Sequence, residues 1–460
     1  MPILPIDSGR YGSTEMRKIF EENTRLKYQL QFETSVAAAQ ARIRMIPKRA
    51  AEEIDRIVIS NLVNLKRIRE LESISEHDTA ALIEALSEQC SVKTRPWVHY
   101  GLTSSDVVDT TISMQLHDVF KIIESKILTL TDRLLHKAHE FDTQPAVGRT
   151  HGQHASIISF GLKFAVWASE MTKHLERIEE GKKRFLVCKT LGVVGTGSLM
   201  GNRALEVQRL VSLNLHLYPI DASTQVISRE RFAEMQFIIA LIGCTLDKIA
   251  TEIRNLQRTE IGELAEPFRS GQMGSSAVPV KRNPIKSERV SSLARLLRPL
   301  VIVSMENIPL WHERDLTNSA NERFTIPMAP ILLDEMLNLM TKVISELRID
   351  REKIAANIKI TNGNIYAEFV LDELIKKGVP RFEAYRDIQR IAFSSTGLNF
   401  FDAIRHDPKL SKLLSEKELA TIFNPRDHLA ASSKIISNVS KMARQFRRNI
   451  SINPIQSRFR

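Results

Sequence analysis

Cysteine is scarce in this chain: Cys90, Cys188 and Cys244 are three scattered thiols in 460 residues. A disulfide framework needs an even set, and a zinc ribbon needs paired Cys-x-x-Cys units, so neither organises this protein. The same scarcity leads us to expect a reducing, cytoplasmic location. Long apolar runs are missing as well. Stretches such as Phe237 to Leu246 fall short of the roughly 20 residues a bilayer requires and read as buried helix. The first ten residues contain Pro2 and Pro5 without the apolar centre of a secretory signal. Nucleotide-cofactor fingerprints are also absent. Gly195, Gly197 and Gly201 miss the GxGxxG spacing, and no GxxxxGK[ST] occurs, so neither a dinucleotide nor a P-loop is supported. No metal-ligand spacing and no alternating strand series stand out.

The chain does have ample core-forming material. At 43% hydrophobic residues it can bury a large core, and its length suggests two or three domains. The formal charge of +11 raises the question of nucleic acid, yet the basic residues are interspersed with acids rather than gathered on a reading motif. No nucleic-acid partner is expected. The end from Lys441 to Arg460 holds six Lys or Arg and no acid, and reads as a solvated or loosely docked tail.

Helical periodicity dominates. Ile112, Leu116, Val119, Phe120, Ile123, Ile127, Leu130 and Leu134 recur at spacings of three and four, one apolar stripe on a long helix that Asp109 or Thr110 could cap. A second long helix is expected from about Arg231 to Glu263, with Met235, Ile238, Ile239, Ile242, Leu246, Ile249, Ile253 and Leu256 on one side. Such stripes need partners to bury them. The expectation is an all-α protein of three helical domains, with long central helices in a bundle shared between subunits. The boundaries read as 1–110, 111–350 and 351–460, the last punctuated by Thr361-Asn362-Gly363-Asn364 and Lys376-Lys377-Gly378-Val379-Pro380.

The most informative segment is 271–284, GQMGSSAVPVKRNP, a turn-rich loop in a helical sequence. It gathers two hydroxyls, a lysine and an amide. Serine is a poor base unless its alkoxide is stabilised, which Lys281 and backbone N–H groups could do. Taken alone, the stretch could equally be a Gly-Ser surface loop.

It does not stand alone. The loop resembles the GSSxMPxKxNP loop of the fumarase/aspartase superfamily, and further blocks resemble the adenylosuccinate lyase family within it. These are His99-Tyr100-Gly101-Leu102-Thr103-Ser104-Ser105-Asp106, Gly148-Arg149-Thr150-His151-Gly152-Gln153-His154-Ala155, Arg10-Tyr11, His77-Asp78, Ser223-Thr224-Gln225, and Trp311-His312-Glu313-Arg314-Asp315 followed by Ser319 and Arg323. They occur in order from about residue 10 to 325.

The resemblance implies elimination of fumarate from succinylated nucleotides in purine biosynthesis, by a three-domain homotetramer with composite active sites and no cofactor. In such a reaction a base removes a proton beside a carboxylate, donors hold the dianionic intermediate, and an acid protonates the leaving nitrogen. By resemblance Ser275 is the base, Lys281 and Asn283 bind the succinyl carboxylates, and His151 is the acid, charged or oriented by Glu288. His77 is a second acid candidate. Arg10, Tyr11, Arg314, Ser319 and Arg323 match phosphate-binding positions, where arginine forks suit phosphate oxygens. Asp78, Thr103, Ser104, Thr150, Gln225 and Arg289 match positions around the rest of the substrate. Alternatives are another lyase or cycloisomerase reusing the loop, or a catalytically silent relative. Four departures from the family pattern, Glu76, Val278, Val280 and Phe232, bear on loop closure and affinity rather than on reaction type.

Overall fold

The computed structural model describes residues 4–394 and 399–452, and these form eighteen α-helices and three two-stranded sheets. The elements that position the site are α1 (Asp78–Glu88), α2 (Ser104–Glu140), α3 (Phe160–Phe185), α4 (Glu230–Leu256), α5 (Ile285–Glu306), α6 (Ser319–Ser345) and α7 (Ala430–Ile452). The fold is all-α. Helices α2 to α6 pack side by side as an extended bundle, α2 against α3 and α6, and α4 against α3, α5 and α6.

The stripe read from the sequence is the buried face of α2. Leu116, Val119, Phe120, Ile123, Ile127, Leu130 and Leu134 are wholly buried, and only Ile112 is half-exposed. Each such side chain contributes roughly 1.5–3 kcal/mol over an exposed one, which is why the long helix holds in one orientation. It begins earlier than Asp109 or Thr110. Thr103 is its N-cap, in a capping box where the Thr103 N–H donates to Asp106 Oδ2 at 2.8 Å. Asp109 and Thr110 are buried inside the helix and serve tertiary contacts instead. Likewise α4 stops at Leu256 rather than near Glu263. The chain turns back there, Glu263 N–H donating to Leu256 O at 3.1 Å, with Gly262 in the left-handed region that glycine adopts at least cost.

Close approach of α3 to the end of α2 depends on Gly161, where a Cβ would lie 2.2 Å from the Ala138 carbonyl. A short antiparallel hairpin, β1 (Pro145–Thr150) and β2 (Gln153–Ser159), joins these helices. No strand alternation announced it. The strands are short, and a register shift at Gly148/Arg149 breaks the period of two.

Beyond residue 357 a second apolar core forms from Ile365, Val370, Leu374, Ile388, Phe400, Ile404 and Leu410, joined by Val147 of β1 and Ile157 of β2. The last helix leaves this core: α7 returns to α3 and α2, burying Ile436, with Val439 and Phe446 against the main core and Arg447 paired to Asp132 at 2.7 Å. The basic end continues this helix as far as Ile452 and is docked through Phe446, the second of the two states expected for it; residues 453–460 lie outside the described residues. Cys90, Cys188 and Cys244 are free thiols. Among the described residues, no helix is long and apolar enough to cross a membrane, and no group of three or more His, Cys, Asp or Glu could hold a metal ion.

Candidate active site

A cavity of about 920 Å³ opens between the N-terminal segment, the starts of α1 and α2, and the start of α6. Six of the expected residues meet on its wall: His77, Asp78, Ser104, Arg314, Ser319 and Arg323. Helix starts place most of them. His77 is the N-cap of α1, its Nδ1 accepting the Ala80 N–H at 3.2 Å, so that the neutral ring carries its proton on Nε2. Ser104 and Ser319 are the first residues of α2 and α6, where the helix dipole favours an anion, although the Ser319 N–H itself donates to the Leu316 carbonyl at 3.0 Å. Arg323, one turn further along α6, donates from Nη2 to Asp78 Oδ2 at 3.1 Å. Arg314 donates from Nη1 to Gln225 Oε1 at 3.0 Å and also to Ser105 Oγ, while its buried Nε has no partner. These arginines, hydroxyls and helix ends can take a phosphate group.

The glycine series after Leu191 shapes the neighbouring wall by close backbone approach. At Gly195, φ is +76° and a Cβ would lie 2.1 Å from the Ser223 carbonyl. Only glycine lets the Ser223-Thr224-Gln225 segment press this near and bring Gln225 to Arg314. The loop is anchored by Lys189, a residue that gave no signal in the sequence. Its ammonium pairs with Asp106, whose other oxygen accepts the Gly192 N–H at 3.0 Å.

The 271–284 loop lies elsewhere on the chain. Ser275 Oγ accepts two backbone N–H groups, from Val278 at 3.1 Å and Ala277 at 3.3 Å, a setting that lowers the cost of an alkoxide. Asn283 Nδ2 donates to the Gly274 carbonyl at 2.9 Å and ties the two limbs together. A Cβ on Gly274 would lie 2.0 Å from the Lys281 carbonyl. Glu266 accepts the N–H groups of Ser287 at 2.6 Å and Lys286 at 3.2 Å, capping α5 and fixing the loop's exit. Lys281 and Glu288 are exposed. Val278 and Val280 lie exposed on the same loop, and Glu76 lines the large cavity. Phe232 is buried with the Arg229 guanidinium 5.2 Å over its ring.

The histidine block is the hairpin tip. Thr150 pairs with Gln153, leaving His151 and Gly152 as a two-residue turn with φ of +53° and +75°, the signs that a type I′ turn requires. This exposes both Thr150 and His151. Arg149, one pair back from the tip, holds the hairpin to Glu263, at 2.5 and 3.2 Å. Within the described residues no hydrogen bond or ion pair joins His151 to Glu288. Arg289 lies near Glu335, at 3.9 Å, and the same carboxylate accepts the Gly12 N–H at 3.3 Å, so Arg289 comes close to the Arg10-Tyr11 segment. Thr103 faces a groove that adjoins the cavity, shared with His77 and His99. One chain therefore brings Arg314, Ser319 and Arg323 to one cavity that Arg10 and Tyr11 do not line, while His151 and the Ser275 loop stand on separate exposed projections.

The long-helix bundle thus carries a serine-lysine-asparagine loop, a histidine hairpin tip and an arginine-lined cavity. The lyase family model matches residues 9–296 and the model for the adenylosuccinate lyase C-terminus matches 363–439. The adenylosuccinate lyase of Methanocaldococcus jannaschii is 41% identical over 444 residues, covering 96% of each chain. Solved structures of a fumarate lyase from Mesorhizobium sp. BNC1 (27% identity, TM-score 0.84, 93% of this chain and 97% of that one) and of a 3-carboxy-cis,cis-muconate lactonizing enzyme from Pseudomonas putida (25% identity, TM-score 0.85, 96% and 100%) share the fold. The chain belongs to the adenylosuccinate lyase family, and it is a C–N lyase.

Proposed function

We propose that this protein eliminates fumarate from adenylosuccinate, leaving AMP, and from succinylaminoimidazole carboxamide ribotide, leaving aminoimidazole carboxamide ribotide. The observation that carries the reading is the cavity that gathers Arg314, Arg323, Ser319 and Ser104 in a chain 41% identical to a curated adenylosuccinate lyase. Those residues hold the nucleotide phosphate, with Arg10 and Tyr11 closing over it. Thr103, Thr150, Gln225, Arg289 and Asp78 contact the remainder of the substrate.

Ser275 takes the proton beside the succinyl carboxylate, and its two backbone donors support that role. Lys281 and Asn283 hold the dianionic intermediate. His151, aligned by Glu288, protonates the leaving nitrogen, and His77 stands beside the phosphate as a second proton donor. The chain acts in the cytoplasm as a homotetramer whose sites draw on three subunits, each subunit divided at about residues 110 and 350. Two observations support the shared site: His151 and Ser275 lie on exposed projections, and α5 leaves Leu296, Ile302 and Met305 more than half exposed. An apolar row of that kind calls for a partner surface. The test is an ultraviolet assay of purified protein with adenylosuccinate and no added metal or cofactor. Formation of AMP and fumarate is expected; turnover of argininosuccinate or aspartate with none of adenylosuccinate would overturn the reading.

A further inference from the structure

Two carboxylates face a single guanidinium on the wall of the large cavity. Asp109 of α2 meets Arg229 in a fork, Oδ1 to Nη2 at 2.9 Å and Oδ2 to Nη1 at 3.0 Å. Glu322 of α6 approaches the same arginine from its other side, Oε2 accepting from Nη2 at 3.3 Å and Oε1 lying 3.2 Å from Nε. All three residues line the cavity, and all are more than nine-tenths buried. The two acids are not equally served. Asp109 also accepts the Ile227 N–H at 2.7 Å, whereas Glu322 has only the Asn318 Nδ2 donor at 2.9 Å besides the shared arginine. Arg314 also acts on Glu322, favouring its ionised form.

With both acids ionised this trio carries one net negative charge. On the reading above, the same wall receives a phosphate ester. A buried anion beside a bound anion is costly, and the less supported acid is the one that yields. Burial pushes the Glu322 carboxyl up to about 7; Arg229 pulls it down and the Asp109 charge pushes it further up. A second observation agrees. Asn318 is wholly buried on the cavity wall with its Oδ1 lacking any partner. A protonated Glu322 has an O–H to give. If the Asn318 amide turns over, its oxygen accepts that hydrogen, and the amide's N–H₂ faces where the unpartnered oxygen stood.

We propose that Glu322 couples phosphate-ester binding to proton uptake, the cavity accepting its anionic ligand only with Glu322 in the neutral acid form. Glu322 is a positioning residue in this scheme: it touches Arg229 and Asn318, and it sets the charge that the ligand meets. The inference rests on the cavity being the phosphate site. Its sign follows from linkage. Below about pH 7 the proton is already present in the free protein, so Glu322 contributes no pH dependence there. Above it a proton must be taken up with the ligand, and Kd rises about tenfold per pH unit. The ester's own second ionisation, near pH 6, favours binding as pH rises and lies below this window. His77 stands on the same wall, so a variant must isolate the contribution of Glu322.

The experiment is calorimetric titration of the full-length protein with AMP from pH 6 to 9, in buffers of differing ionisation enthalpy. Wild type is expected to take up about one proton per AMP near pH 8, with Kd rising about tenfold from pH 7.5 to 8.5. Glu322→Gln, which keeps an acceptor for Arg229, is expected to bind AMP with a Kd flat over that interval and about thirtyfold lower than wild type at pH 8.5. An unchanged slope in Glu322→Gln overturns the inference and leaves the cavity assignment standing. So does wild-type binding without proton uptake, a result that needs no variant. Failure of wild type to bind AMP at any pH overturns the cavity assignment and the inference with it.

Discussion

Lys189 and Asp106 form an ion pair from which water is wholly excluded, and it ties the glycine loop after Leu191 to the first turn of α2. Asp106 is also the acid of the capping box that begins the helix at Ser104. One lysine therefore helps hold both the loop that seats Gln225 and the helix end that faces the cavity. Lys189→Met is expected to leave a buried carboxylate unpaired, at a cost of about 3–5 kcal/mol. Thermal melting checks this. Adding Asp106→Asn to that variant should recover part of the loss, and a single variant that melts like wild type would show that the pair holds nothing.

Ser275→Ala is expected to reduce turnover about a hundredfold to ten-thousandfold while adenylosuccinate still binds. Ser276→Ala should be much milder, because the two backbone donors converge on Ser275 Oγ. Steady-state rates together with equilibrium binding of substrate decide the matter. Equal losses in the two variants would remove the reason for assigning the base to Ser275.

The hairpin tip shapes the test of a shared site. His151 has φ +53°, a conformation that costs most residues about 1–2 kcal/mol but that asparagine adopts readily. His151→Asn is therefore expected to remove the acid and keep the turn. Mixed with Ser275→Ala after partial denaturation and reassembly, it should restore a fraction of wild-type activity, since some sites then carry neither lesion. Mixed tetramers that stay inactive would place His151 and Ser275 of each site on one chain.

His174 gives a pH dependence of stability separate from catalysis. It is buried on α3 with Nε2 2.8 Å from Thr245 Oγ1, and burial, with the Arg177 charge adding to it, lowers its pKa to about 4. The unfolded chain, with His174 near 6.5, then binds a proton that the folded chain refuses, so stability falls as pH drops from 6.5 towards 4. The full penalty is about 3 kcal/mol, since each tenfold loss of proton affinity on folding costs about 1.4 kcal/mol. His174→Gln should flatten that part of the melting-temperature profile. A variant profile parallel to wild type would assign the acid sensitivity to other groups.

The all-α class was legible in the sequence because its signals are local. A stripe such as Leu116 to Leu134 needs only a period of about 3.6 to declare a buried helix face, and the wholly buried side chains of α2 follow from it. The family was legible for a different reason: Ser275, His151 and Arg314 sit in short motifs whose residue order survives without coordinates. What only the tertiary structure decided was which distant groups meet. The hairpin stayed hidden because its strands are short and slip register at Gly148, and the first turn of α2 because Asp106 acts as a cap as well as a lysine partner. Nothing in the spacing of Lys189, Arg229 or Glu322 distinguishes them from solvated charges. Their roles arise when burial removes water and leaves Lys189 facing Asp106, and Arg229 facing both Asp109 and Glu322, an electrostatic requirement set by position in three dimensions rather than by order along the chain.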